Sequence, residues 1–149
     1  MTIQVIPDDN HVSRYVKPTQ ITETLRGICK PNSHVFRLRA DYPPETGPEE
    51  FVSVDWLEYF KGDLSQQLND ICLVLKENRG FKVSLNGGFA IVQVGDVKDS
   101  DLGRTITVKT LGEQLDPSHS GIYGLKPEDD IVAQKIANRA RFFKNTYCH

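Results

Sequence analysis

The tripeptide Asn86-Gly87-Gly88 constrains this chain more than any other stretch, because it sits between two segments that both read as β-strand. Asn and Gly accept positive φ at little cost, which is what a tight antiparallel turn demands. On one side Phe81-Lys-Val-Ser-Leu85 alternates apolar and polar residues. On the other, Phe89-Ala-Ile-Val-Gln-Val94 is apolar enough to run through the middle of a sheet. The pattern predicts a hairpin. Since a strand follows the glycines, they do not read as a phosphate-binding loop, which would open a helix.

The remaining elements follow the same logic. His34-Val-Phe-Arg-Leu-Arg39 alternates, placing Phe36 and Leu38 on one face and Arg37 and Arg39 on the other. Phe51-Val-Ser-Val54 predicts a second strand, pairing with the first across the acidic, proline-rich loop Asp41–Glu50. Asp55 suits the N-cap of a short helical turn over Trp56–Phe60, with Trp56, Leu57 and Phe60 as core residues. Asp63 and Gln66 have capping-box spacing ahead of a helix that aligns Leu64, Leu68, Ile71, Cys72 and Leu75. Asn78-Arg-Gly80 stops it. Arg104-Thr-Ile-Thr-Val-Lys-Thr110 predicts a further strand. Pro127 and Glu128 open a C-terminal helix bearing Ile131, Val132, Ile136, Ala140 and Phe143 on one stripe. The expected fold is α+β, with a mainly antiparallel sheet of about five strands and two main helices. At 149 residues the chain suits one domain spanning 1–149.

Lys and Arg number 18 against 20 Asp and Glu, a net charge of -2, so nothing pulls the whole molecule toward nucleic acid or an anionic membrane. Any such contact must use a local patch. The opening MTIQVIPDDN has neither the basic nor the apolar part of a signal peptide, and no apolar run approaches the roughly 20 residues of a membrane span. A cytoplasmic protein is expected. Cys29, Cys72 and Cys148 lack CxxC spacing and read there as free thiols, with Cys72 in the core and Cys148 exposed.

No phosphate loop, dinucleotide fingerprint, nucleophile elbow, HExxH or paired CxxC occurs, so neither cofactor nor metal is expected. His34 has acids nearby but no second histidine at ligand spacing, and His149 is terminal. Two polar clusters remain. In His11-Val-Ser-Arg-Tyr15, His11 has the chemistry of a general acid or base, Arg14 that of an anion clamp, and Tyr15 that of a stacking or donating group. The plain alternative is a solvated strand end anchored by Val12 and Val16. In Asp116-Pro-Ser-His-Ser-Gly121, His119 stands between Ser118 and Ser120 before a glycine that would let backbone approach a ligand. The alternative there is a turn begun by Asp116-Pro117 and capped by the serines.

Read in order, HVSRYVKP, FRLR, SVDWLEYF and DPSHSGI resemble segments of a group of small, uncharacterised bacterial proteins, across His11 to Ile122. The resemblance implies a small bacterial cytosolic protein and carries no mechanism. The two-histidine phosphoesterases repeat H-x-[ST]; His11-Val-Ser13 fits that motif, whereas Gly121 breaks it after His119.

The leading expectation is a protein that binds a phosphate-bearing ligand, nucleotide or nucleic acid, with acid/base phosphodiester chemistry by His11 and His119. Arg14, Tyr15, Arg37, Arg39, Ser118 and Ser120 would hold the ligand. The alternative is a non-catalytic accessory module in which the Arg-bearing face and the acidic loop meet a protein partner. The two differ in whether the histidines and arginines converge.

Overall fold

A computed structural model describes residues 2–101 and 105–148. Six strands form one antiparallel sheet: β1 (His11–Val16), β4 (Phe51–Trp56), β5 (Gly88–Gln93), β6 (Thr107–Thr110), β7 (His119–Tyr123) and β8 (Arg141–Lys144), in the order β6-β7-β4-β1-β5-β8. The short strands β2 (Ile21–Glu23) and β3 (Cys29–Pro31) pair apart from it. Helices α1 (Leu64–Leu73), α2 (Val94–Lys98) and α3 (Asp130–Arg139) complete the α+β fold.

Each face of the sheet carries its own core. Val12, Val16, Val52, Val54, Ala90, Val92, Val108 and Ile122 point to one side, where α2, α3 and the 3-10 turn Ser33–Phe36 cover them. Phe89 and Ile91 point to the other, against Leu68, Ile71 and Leu75 of α1 and its π-helical extension Val74–Asn78. This is why Phe89–Val92 is apolar without a break, since alternate residues of β5 enter opposite cores.

The strand pairings correct the expected hairpins. Asn86-Gly87 does turn, with the Gly87 N–H donating to the Ser84 carbonyl at 3.1 Å, but residues 81–85 form no strand. β5 is flanked by β1 along all six of its residues and by β8 along four, so no edge remains for them. His34–Arg39 is likewise not a strand. Asn32 accepts from His34 N–H and caps the 3-10 turn, after which Arg37–Ala40 is irregular, although Phe36 and Leu38 are buried as the alternation implied. The expected turn over Trp56–Phe60 is a 3-10 turn over Leu57–Tyr59, and the last helix begins at Asp130, after a turn that includes Pro127 and Glu128. The capping box at Asp63 and Gln66 forms as expected. Of the stretch expected as a strand from Arg104, Thr107–Thr110 is β6; Arg104 itself and His149 lie outside the described residues.

The thiols also differ from expectation. Cys72 on α1 and Cys148 form a disulfide with Cα atoms 5.6 Å apart, and both are buried, whereas Cys29 is free and exposed.

One pairing is incomplete, and it makes the site. β1 and β4 are neighbours only at Val12↔Trp56 and Ser13↔Asp55. Beyond Ser13 the two central strands part, and a cleft opens through the sheet between them.

Candidate functional site

The cleft measures about 490 Å³, within the ordinary range of small-molecule sites. Arg14 lies in the gap between the parted strands. Its Nε donates to the Val35 carbonyl and its Nη1 to the Ser53 carbonyl, so the guanidinium replaces the ladder bonds that β1 no longer makes to β4. Among the described residues no carboxylate lies within ion-pair distance of it. Burial lowers its pKa to about 10, Arg39 adds to the lowering, and the charges of Glu49 and Asp55 oppose it. At neutral pH it is still a cation, held on neutral acceptors.

The rim adds cations and rings. Lys17, Arg37, Arg39, Lys82 and His34 line the same cleft, as do Tyr15, Tyr42 and Phe81. Arg37 donates weakly to the Pro127 carbonyl at 3.3 Å and stands 3.8 Å from Asp130. Arg39 donates to Glu49 at 2.9 Å, and its guanidinium carbon sits 3.2 Å from the Tyr42 ring centroid. Tyr15 uses its hydroxyl to accept the Ser84 N–H at 2.8 Å, which orders the turn behind it. Tyr42 and Phe81 keep 45% and 50% of their surface exposed, so each leaves ring surface open at the cleft.

The deep wall is an ion-pair network. Arg79 donates to both oxygens of Asp55, at 2.6 and 3.0 Å, and to both oxygens of Asp116, at 2.6 and 3.0 Å. Burial opposes the Arg79 charge, but the hydrogen bonds to Asp116 and Asp55 outweigh it and raise the pKa. Asp55 is raised by burial, against the pull of Arg79, His119 and Ser118. Directly across from Asp55 on β1, the Ser13 hydroxyl is buried on the cleft and has no hydrogen-bond partner.

Ser53, on the same sheet face, connects the cleft to His119. Its Oγ is 2.6 Å from His119 Nε2, and His119 Nδ1 is hydrogen-bonded to a Glu113 carboxylate oxygen. A carboxylate only accepts, so Nδ1 carries the proton and, in the neutral ring, Nε2 accepts from the Ser53 hydroxyl. Glu113, Asp116 and His119 place possible metal ligands within 4.8 Å of one another. Both Asp116 oxygens are already committed to Arg79, so this trio lacks a free third ligand.

The expected site residues therefore divide. Arg14, Tyr15, Arg37 and Arg39 converge on one cleft. His11 does not join them: its Nδ1 and its backbone N–H each lie 2.7 Å from the Glu58 carboxylate, and it lines a separate hollow with Gln67, Asp96 and Arg141. His11 and His119 share neither cleft nor partner. Ser118 donates to Asp55 and Ser120 to the Ser118 carbonyl, and both are buried, so they serve the wall rather than a ligand. Gly121 sits within β7 opposite Ser53, where a Cβ would come within 2.8 Å of the Phe51 and Tyr123 rings.

Sequence reasoning missed Ser53, Arg79, Lys17, Lys82 and Glu113. Arg79 read as part of a helix stop and Ser53 as an ordinary strand residue; no local signal marks either, because their roles come from strands and turns brought together from elsewhere. The chain matches no protein-family model, no curated protein and no solved structure, so the geometry stands on its own.

Proposed function

We propose that this protein binds a phosphate-bearing ligand of the nucleotide or oligonucleotide class in the cleft between β1 and β4. The observation that carries the reading is Arg14, a partly buried guanidinium on the cleft with no carboxylate within ion-pair distance among the described residues. Burying a cation costs free energy that an incoming anion recovers, and Nη2 of the same group is not used by Val35 or Ser53. Lys17, Arg37 and Lys82 extend the positive lining, and Tyr42 and Phe81 supply rings on which a base can stack.

The two-histidine phosphodiester chemistry finds less support. In-line displacement at phosphorus wants a base for the attacking oxygen and an acid for the leaving one, on opposite sides. His119 reaches this cleft only through Ser53, and His11 lies elsewhere. No described helix is long and apolar enough to cross a membrane. The Cys72–Cys148 bridge favours an oxidising compartment over the expected cytoplasm, because disulfides persist chiefly in oxidising compartments.

The test is an amide NMR titration with inorganic phosphate, adenosine monophosphate and a short RNA in turn. Ser13, Arg14 and Lys82 are expected to shift together and saturably with one of these probes. Arg14→Lys, which keeps the charge but loses the fork, should weaken that binding about tenfold, or about 1.4 kcal/mol. If none of the probes moves these amides, the phosphate reading is wrong.

A further inference from the structure

Anchoring an anion needs no nucleophile, yet β4 brings one to the wall of the cleft. We propose that Ser53 is the nucleophile of an ester or thioester hydrolase, with His119 as its general base and Glu113 as the positioning residue. The substrate is an acyl group joined through oxygen or sulfur to a phosphate-bearing carrier. The carrier's phosphate rests on the binding reading above, while the nucleophile stands on its own geometry.

That geometry is the arrangement nucleophilic catalysis requires: nucleophile within hydrogen-bond reach of a base, and base oriented by a third group. Ser53 Oγ and His119 Nε2 are 2.6 Å apart, and Glu113 holds Nδ1. The sheet register sets this up. Ser53 pairs directly with Gly121, and His119 lies two residues along β7, on the same face. Gly121 puts no side chain of its own directly across from Ser53, the Phe51 and Tyr123 rings pack into that space instead, and the imidazole reaches Ser53 on the diagonal. Asp116 is not the orienting acid, being 3.9 Å from Nδ1 and occupied by Arg79.

Acyl transfer suits this site better than phosphoryl transfer. A tetrahedral intermediate lets one imidazole take the proton from the attacking oxygen and return it to the leaving group, so a single histidine suffices. Ser53 Oγ attacks the acyl carbon and its proton passes to His119 Nε2. The bond to the leaving oxygen or sulfur then breaks, and Nε2 protonates the departing alcohol or thiol. Water repeats the sequence on the acyl-serine: its proton goes to Nε2, its oxygen bonds to the acyl carbon, and Ser53 leaves and recovers its hydrogen. A carboxylic acid is released and no oxidant or metal is consumed.

The full chain should be incubated with a fluorophosphonate probe and the adduct located by tandem mass spectrometry. The expected result is a single adduct on Ser53 of the unaltered protein, which needs no variant to interpret. His119→Ala should slow labelling about 100-fold. Glu113→Gln should slow it less and displace its pH profile, a change that loss of packing alone would not produce. An intact mass unchanged by the probe, or a label only on other residues, overturns the proposal. Inorganic phosphate that slows labelling of Ser53 supports the phosphate-bearing substrate. Labelling of Ser53 that phosphate leaves unaffected overturns that part and keeps the nucleophile.

Discussion

Arg79 shows how much one side chain can decide. It follows the π-helical extension of α1, at a helix stop, and ties Asp55 of β4 to Asp116 of the loop that leads into β7. Its side chain is 11% exposed and that of Asp55 4%, so this is not a surface pair of negligible value. Removing the cation strands two buried carboxylates, a change of about 3–5 kcal/mol. Arg79→Leu should therefore lower the urea midpoint markedly. A variant within about 0.5 kcal/mol of the parent would show that the carboxylates find water instead. Arg14 is the opposite case. Its acceptors are the Val35 and Ser53 carbonyls, so the two arginines of one cleft differ in the partners they meet, carboxylates for Arg79 and backbone for Arg14.

At the scale of elements, the Asp41–Glu50 loop sets the rim of the cleft. Asp41 accepts N–H bonds from Glu45 and Gly47, both at 2.8 Å, and these two residues take positive φ of 70° and 90°. Glu49 then accepts from the backbone and the guanidinium of Arg39. The backbone donors of Glu45 and Gly47 lower the Asp41 pKa below 3.8. For Glu49 burial pushes upward, but the Arg39 hydrogen bonds outweigh it and bring the value below 4.5. Both folded values are depressed, so their contribution is in place above about pH 4.5 and is lost as pH falls through the folded-state values. The protection factors of the Glu45 and Gly47 amides, corrected for the intrinsic pH dependence of exchange, should fall on acidification below pH 4, while those of β5 hold. Equal loss of protection in the loop and β5 would mean that the loop does not open by itself.

For the molecule as a whole, the Cys72–Cys148 bridge fastens the chain end to α1 across a sequence separation of 76 residues. In the chain-entropy account, closing a loop of that length restricts the unfolded chain by about 4.5 kcal/mol. Thermal melting with and without dithiothreitol should show a lower midpoint on reduction. Cys29→Ser, at an exposed free thiol, should leave the midpoint in place. An unchanged midpoint after full reduction would remove the bridge from the account of stability. What the sequence by itself determined was local: the α+β class, the Asp63–Gln66 capping box, the turn at Asn86-Gly87 and the inward side of Phe36 and Leu38. Periodicity and cap chemistry act over a few residues, so a short window holds their information. The same reasoning put Arg14, Tyr15, Arg37, Arg39, Ser118 and Ser120 in one pocket with His11 and His119, and only the first four line the cleft. Tertiary structure alone decided that β5 pairs with β1 and β8, that His11 turns to Glu58 while His119 turns to Ser53, and that Cys72 meets Cys148. Each of these joins residues far apart in the chain, and the partner is chosen by which strand occupies a free edge and which carboxylate a fold delivers, neither of which any single segment encodes.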